Sequence, residues 1–307
     1  MTVLPTLRQL GYLVALAEHR HFGRAAEACL VTQSTLSSAL QELEAALGAT
    51  LVERNKRRLF LTPLGDAVVE RARRLLVDAR DLVDLVHQAA AEPLAGILRL
   101  GAIPTIAPFL LPQVLPRLRV GHPHLRLILR EEQSRPLLDR LTAGDLDAAV
   151  IALPWREHEL ALQDIATDRF MFAAPPGHPL LEHPALDAEA LAGAADELLL
   201  LEEGHCLRDQ ALAACRLTEA PGRRAGLVAT SLHTLVQMVS GGLGVTLLPT
   251  MAAGLATSAG LALRTLDDPA FSRHIALAWR PTSPRHAEFR MLAELLRPSE
   301  DAPQGRA

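Results

Sequence analysis

Apolar residues recur mostly at helical spacing through the first ninety positions, and beyond them short apolar strand-like runs alternate with helical stretches. Leu7, Leu10, Val14 and Ala17 share one face of a helix predicted over 6–17. Phe22, Ala25, Ala26 and Cys29 do the same for a short helix over His21–Cys29. After a break at Leu30-Val31, Thr32 suits the N-cap of a third helix, whose stripe is Leu36, Leu40, Leu43 and Leu47 and whose end is Gly48. Two short helices, a tight turn and a third helix make a helix-turn-helix pattern. Leu51-Val52 and Leu59-Phe60-Leu61 read as short strands joined through Arg54-Asn55-Lys56-Arg57-Arg58, a basic hairpin tip. Thr62-Pro63 then opens a long helix, with proline at its first position. Along it Val68, Ala72, Leu75, Ala79, Leu82 and Val86 alternate in steps of four and three. That is a heptad seam. Packing on its own domain would give the same stripe, but the helix's length, ending at Glu92-Pro93, favours a dimerising coiled coil.

Beyond Pro93-Leu94-Ala95-Gly96 the pattern changes. Strands are predicted at Ile97–Ala102, Leu125–Leu129, Ala148–Ile151, Phe170–Ala174, Leu198–Leu201, Val245–Leu248 and Ile275–Trp279, with helices at Phe109–Leu118, Leu207–Cys215 and Ala287–Leu296. Strand-helix alternation implies α/β lobes with mostly parallel sheets and a ligand-binding cleft between them. The predicted division is 1–62, a winged helix-turn-helix; 63–92, a linker helix; and 93–300, a two-lobed effector domain. Lobe I takes 97–161 and 270–298, and lobe II takes 162–269. Residues 301–307 are expected to form a disordered tail.

Charge sharpens this division. The net charge is −4, yet residues 1–65 carry seven basic and five acidic side chains against twenty-four and thirty in the remainder. A cationic N-terminal unit on an acidic body fits a double-stranded DNA partner. On the third helix Thr32, Gln33, Ser34, Thr35, Ser38 and Gln41 lie at its start or away from the apolar stripe, where short hydroxyls and amides suit phosphates and base edges. For an isolated helix they could equally form a solvated face; the adjoining Arg54, Lys56, Arg57 and Arg58 tip, suited to phosphates or the minor groove, shifts the balance to DNA. The chain begins without a leader pattern and has no apolar run of the ~18 residues a membrane helix needs, so a cytoplasmic protein with no membrane contact is expected. Its one lysine, Lys56, leaves little room for lysine-based catalysis.

Three cysteines, Cys29, Cys206 and Cys215, are too few for a disulfide scaffold, and no zinc spacing accompanies them. No metal and no cofactor is expected. Cys29 fits small core packing. Cys206 falls where a helix begins, a position that favours a thiolate, with His205 and Arg208 as candidate pKa-lowering neighbours. Nine residues of helix rise ~13.5 Å, whereas a disulfide needs its Cα atoms within ~7 Å. A Cys206–Cys215 bridge would therefore require the intervening helix to melt, as a redox switch demands. The inert readings are a buried Cys215 and a His205 that merely packs. A His205-Cys206 hydrolase or peroxidase dyad is disfavoured because adjacent side chains diverge.

Several runs resemble the LysR family of bacterial transcription regulators. They are Ala25-Ala26, Thr32-Gln33-Ser34-Thr35-Leu36-Ser37, Leu43-Glu44, Leu47-Gly48, Leu51-Val52-Glu53-Arg54 and Leu61-Thr62-Pro63-Leu64-Gly65. Many members carry proline where this chain has Ser34. The segment Glu203-Gly204-His205-Cys206-Leu207-Arg208-Asp209-Gln210 with Cys215, Ile103-Pro104-Thr105 and Ala229-Thr230-Ser231-Leu232 resemble the peroxide-sensing branch of that family. The resemblance implies a non-enzymatic regulator with a periplasmic-binding-protein-like effector domain. It implies a homodimer through the linker helix, a homotetramer overall, and RNA polymerase as a partner. It implies that Cys206 and Cys215 are the peroxide-reactive and resolving thiols, and that Thr105, Ser134, His205 and Arg208 meet hydrogen peroxide. The alternative within the family is a small organic effector in the cleft and cysteines without a regulatory role.

Overall fold

The computed structural model describes residues 4–54, 59–88, 92–155, 159–217, 227–266, 268 and 271–298. The predicted basic tip, with Lys56, Arg57 and Arg58, and the tail 301–307 lie outside the described residues. The chain divides into two compact units at residues 91 and 92.

In the first unit α1 (Leu7–His19), α2 (Phe22–Ala28) and α3 (Gln33–Leu47) precede the antiparallel pair β1 (Val52–Arg54) and β2 (Leu59–Leu61), and α4 (Pro63–Gln88) follows. Local chemistry sets the ends. Thr6 and Gln9 form a capping box on α1, His21 Nδ1 accepts the Gly23 and Arg24 amides at the start of α2, and Thr32 caps α3. Leu13, Leu16, Leu36, Leu40, Leu43 and Leu51 form the core. Glu44 on α3 accepts the Leu51 and Val52 amides (2.7 and 3.1 Å), fixing the hairpin to the helix. Gly65 leaves no room for a Cβ against the Leu51 carbonyl.

The heptad seam on α4 is not uniform. Ala72 is buried in the unit's own core, with Val68 packed beside it, so the first part of the stripe serves the fold. Leu75, Leu82 and Val86 are exposed.

The second unit is one seven-stranded sheet with helices against it. Its order is β4 (Leu125–Glu131), β3 (Gly96–Ala102), β5 (Ala148–Leu153), β9 (Ser272–Trp279), β6 (Ala161–Ala174) and β7 (Thr246–Pro249), with β8 (Ala262–Thr265) also on β6. Among the described strand ladders of this sheet β3–β4 and β3–β5 are parallel, and β5–β9, β6–β7, β6–β8 and β6–β9 are antiparallel. The expectation of mostly parallel sheets fails because one long strand, β6, runs through both lobes. Its first part, Ala161–Arg169, pairs with β9 and its last part with β7 and β8. The core changes with it: Ile165 packs in lobe I and Phe170 in lobe II. The lobes therefore hand over near Arg169, later than the 161/162 boundary expected from the sequence. Leu198–Leu201 is not a ladder strand; single bridges join it to Val245 and Ala229.

The helices that build the site are α5 (Ala107–Gly121), α6 (Ser134–Thr142) and α8 (Cys206–Ala214), with α7 (Ala188–Gly193) elsewhere in lobe II.

Candidate redox site and nucleic-acid interface

Cys206 is the first residue of α8, and Cys215 is that helix's C-cap. Both thiols are free. The helix between them is intact, so its ends stand about 13.5 Å apart along the axis. The two sulfurs also belong to different cores. Cys206 packs against the lobe I core, whereas Cys215 is fully buried in the lobe II core.

As a residue Cys206 is partly exposed, but its sulfur is enclosed by protein. Burial pushes the thiol above its ordinary value; Arg273, a Ser134 hydrogen bond and the Leu207 amide pull it back, and Asp209 opposes them. The helix-start argument for a depressed value is thus outweighed by desolvation. Burial alone pushes Cys215 up to about 11.

Thr105 and Ser134 are both buried. Ser134 opens α6 and bonds the thiol directly. Thr105, just before α5, accepts Arg273 Nη1 on Oγ1 and Nη2 on its carbonyl, both at 3.0 Å. Because a lone pair of Oγ1 is taken by Arg273, its hydroxyl proton is available to donate.

The other two predicted residues are directed elsewhere. His205 is buried, with Nε2 at 3.8 Å from Glu202 and a bond to the Thr230 backbone. Desolvation lowers its pKa against the opposing pull of Glu202 and the Thr230 backbone. Arg208 donates to the Leu201 carbonyl (3.0 Å) and lies 3.9 Å from Glu203. Those bonds hold the loop ahead of α8, and the cation acting on Cys206 is Arg273 instead. Gly204 lets this loop close on lobe I: its φ is +98°, and a Cβ would meet the Gln133 side chain, which itself bonds Glu202 at 3.1 Å.

Sequence reading missed Arg273, Asp168 and Met251. Arg273 sits in the polar Ser272-Arg273-His274 start of β9, and only the fold reveals that it is buried.

On α3 Gln33, Ser34, Thr35, Ser38 and Gln41 are exposed along one side. Thr32 is exposed as well, but its hydroxyl already bonds the Thr35 amide and the Ser34 and Thr35 hydroxyls. Arg54 ends β1, at the edge of the undescribed tip.

A winged helix-turn-helix followed by a long helix and a two-lobed α/β body defines a DNA-binding transcription regulator with an effector domain. Residues 7–66 match the bacterial regulatory helix-turn-helix protein, lysR family, and residues 91–300 match the LysR substrate binding domain. The chain belongs to the LysR family. It is 44% identical over 302 residues to the HTH-type transcriptional regulator EstR of Acinetobacter baylyi, covering 97% of this chain and 98% of that one. It is also 44% identical to a probable hydrogen peroxide-inducible genes activator of Mycobacterium avium, covering 96% and 94%. Among solved structures it resembles a full-length OxyR of Pseudomonas aeruginosa that carries a cysteine-to-aspartate substitution, with 38% identity, a TM-score of 0.76, and coverage of 96% and 98%. No helix among the described residues is long and apolar enough to cross a membrane.

Proposed function

We propose that this LysR-type regulator senses hydrogen peroxide through Cys206 and Cys215. The observation that carries the reading is the placement of Cys206 at a helix start beside Ser134, Thr105 and Arg273, with a second cysteine one helix length away in the other lobe's core. The Cys206 thiolate attacks one peroxide oxygen, the O–O bond breaks, and hydroxide leaves to be protonated as water. The product is Cys206 sulfenic acid. The Cys215 sulfur then displaces the sulfenic oxygen as water and forms the disulfide. Thr105 and Ser134 bind peroxide, and Arg273 stabilises the leaving charge. The intact α8 must open before the sulfurs meet, and that opening is the switch.

In this reading Gln33, Ser34, Thr35, Ser38 and Gln41, with Thr32 as the helix cap, face the major groove. Arg54, Lys56, Arg57 and Arg58 meet phosphate or the minor groove. The chain pairs through α4 into a homodimer and then a homotetramer, works in the cytoplasm with RNA polymerase as partner, and has no catalytic turnover. The second reading is a small organic effector in the inter-lobe cleft, with cysteines of no regulatory role; the EstR relative's name carries no mention of peroxide. Mass spectrometry after one equivalent of peroxide decides between them. A Cys206–Cys215 bridge is expected; its absence, or peroxide-dependent reporter activation that survives Cys206→Ser, overturns the sensor.

A further inference from the structure

The Arg273 side chain is fully buried, and so is almost all of Asp168. The two residues are directly opposed on β9 and β6, where β6 leaves one lobe for the other. Asp168 Oδ2 accepts both Nε (3.0 Å) and Nη2 (2.9 Å) of Arg273, while Oδ1 accepts the Met251 amide at 3.2 Å. Nη2 also approaches the Met251 sulfur at 3.4 Å. With Thr105 taking one Nη1 proton and one Nη2 proton, the five N–H donors of the guanidinium are nearly spent. Among the described residues one Nη1 proton stays uncommitted.

We propose that Asp168 is a positioning residue for Cys206: it grips Arg273 through two hydrogen bonds and offsets its charge, and so sets how strongly that cation acts on the thiol. The inference rests on the reading of Cys206 as the reactive sulfur.

The groups around that sulfur come from every neighbouring element. They are Ser134 on α6, the Leu207 amide and Asp209 on α8, Arg273 on β9, and behind Arg273 the Asp168 carboxylate on β6 and Thr105 ahead of α5. Asp168 does not need to touch the sulfur. The two hydrogen bonds that Nε and Nη2 donate to the single oxygen Oδ2 fix the plane of the guanidinium, which decides where its uncommitted N–H points. A buried charge pair is seen from outside as a dipole, so the field Arg273 exerts on Cys206 is only part of that of a lone cation. The pair thus keeps the resting thiol less acidic than a naked arginine would.

The test is the pH profile of Cys206 alkylation by iodoacetamide in the reduced full-length protein, read by mass spectrometry on the Cys206 peptide. Asp168→Asn removes the counter-charge and keeps the size. Its midpoint is expected to fall by about one unit, which gives about tenfold more thiolate at a fixed pH below it. Arg273→Gln is expected to raise the midpoint; without Arg273 nothing offsets the desolvation of Asp168, so its buried carboxyl keeps its proton, and Asp168→Asn with Arg273→Gln is expected to superimpose on Arg273→Gln alone. A merely structural carboxylate would lower the melting temperature without shifting the midpoint. An unmoved midpoint in Asp168→Asn overturns the proposal, as does an Asp168→Asn shift that persists without Arg273. Should Asp168→Asn fail to fold, the Arg273→Gln and double-variant profiles still decide: coincidence supports the proposal and separation overturns it. No peroxide enters this measurement. A failure of peroxide sensing is read separately, from the absence of the disulfide in wild type.

Discussion

Leu30 holds a left-handed backbone (φ 56°) in the turn before the third helix, with 93% of its surface exposed. A side chain bearing Cβ costs ~1–2 kcal/mol in that region, and asparagine costs less. Leu30→Asn should therefore stabilise the first unit by about 1 kcal/mol. Urea unfolding separates the units, because the single tyrosine, Tyr12, lies in the first and both tryptophans, Trp155 and Trp279, in the second. A gain seen through Tyr12 and absent from the tryptophans is expected; no gain would mean the turn relaxes around leucine without strain. His205 sets a different dependence. Its folded pKa is depressed by burial. The unfolded chain therefore takes up a proton near pH 6.5 that the folded chain refuses. Stability from this group is complete above that pH and is lost as pH falls toward the folded value. His205→Gln should flatten this part of the tryptophan-monitored curve. The sequence showed that His205 and Arg208 flank the thiol. It could not show that both turn to loop partners, His205 to Glu202 and Thr230 and Arg208 to Leu201 and Glu203, because side-chain direction at a helix start depends on how the neighbouring loops fold against it.

The element that carries the chemistry is α8. Its prediction over Leu207–Cys215 and the observed Cys206–Ala214 differ by one residue, since a strong local pattern was enough to place it. The sheet was less legible. The alternation of β6 and β9 looks like that of any strand, and only tertiary pairing shows that β6 serves both lobes. Arg273 and Asp168 were invisible for the same reason: two charges far apart in sequence become one buried pair only when those strands meet. If α8 must open before the bridge closes, weakening it should speed closure. Ala213 is exposed on that helix. Glycine there costs about 1 kcal/mol of helix, which makes opening about fivefold easier. In Ala213→Gly the loss of the Cys206 thiol to peroxide should proceed as in wild type. The later appearance of the disulfide, in a quenched mass-spectrometric time course, should be about fivefold faster. Equal bridge rates would show that closure does not wait on the helix.

At the scale of the whole molecule the question is how a local bridge reaches DNA. The winged helix-turn-helix reads half-sites, and two of them require two copies. In the proposed dimer the exposed part of the α4 stripe is the pairing surface: Leu75, Leu82 and Val86 are 50%, 64% and 63% exposed and continue the four-three spacing beyond the portion used by the fold. Leu82→Asp should break that pairing, because an unpaired carboxylate in an apolar seam loses its water without compensation. Val68 and Ala72, which serve the fold, are untouched, so Tyr12 should report an unchanged first unit. Sedimentation velocity should show dissociation, and operator affinity should fall at least tenfold. The Cys206–Cys215 bridge should still form at the wild-type rate, because both thiols lie on one helix of one chain. Loss of DNA binding with intact bridging would place the sensor within the protomer and its readout between protomers. Loss of both would mean that pairing shapes the thiol's surroundings, and Leu82→Asp would then slow the alkylation of Cys206 as well.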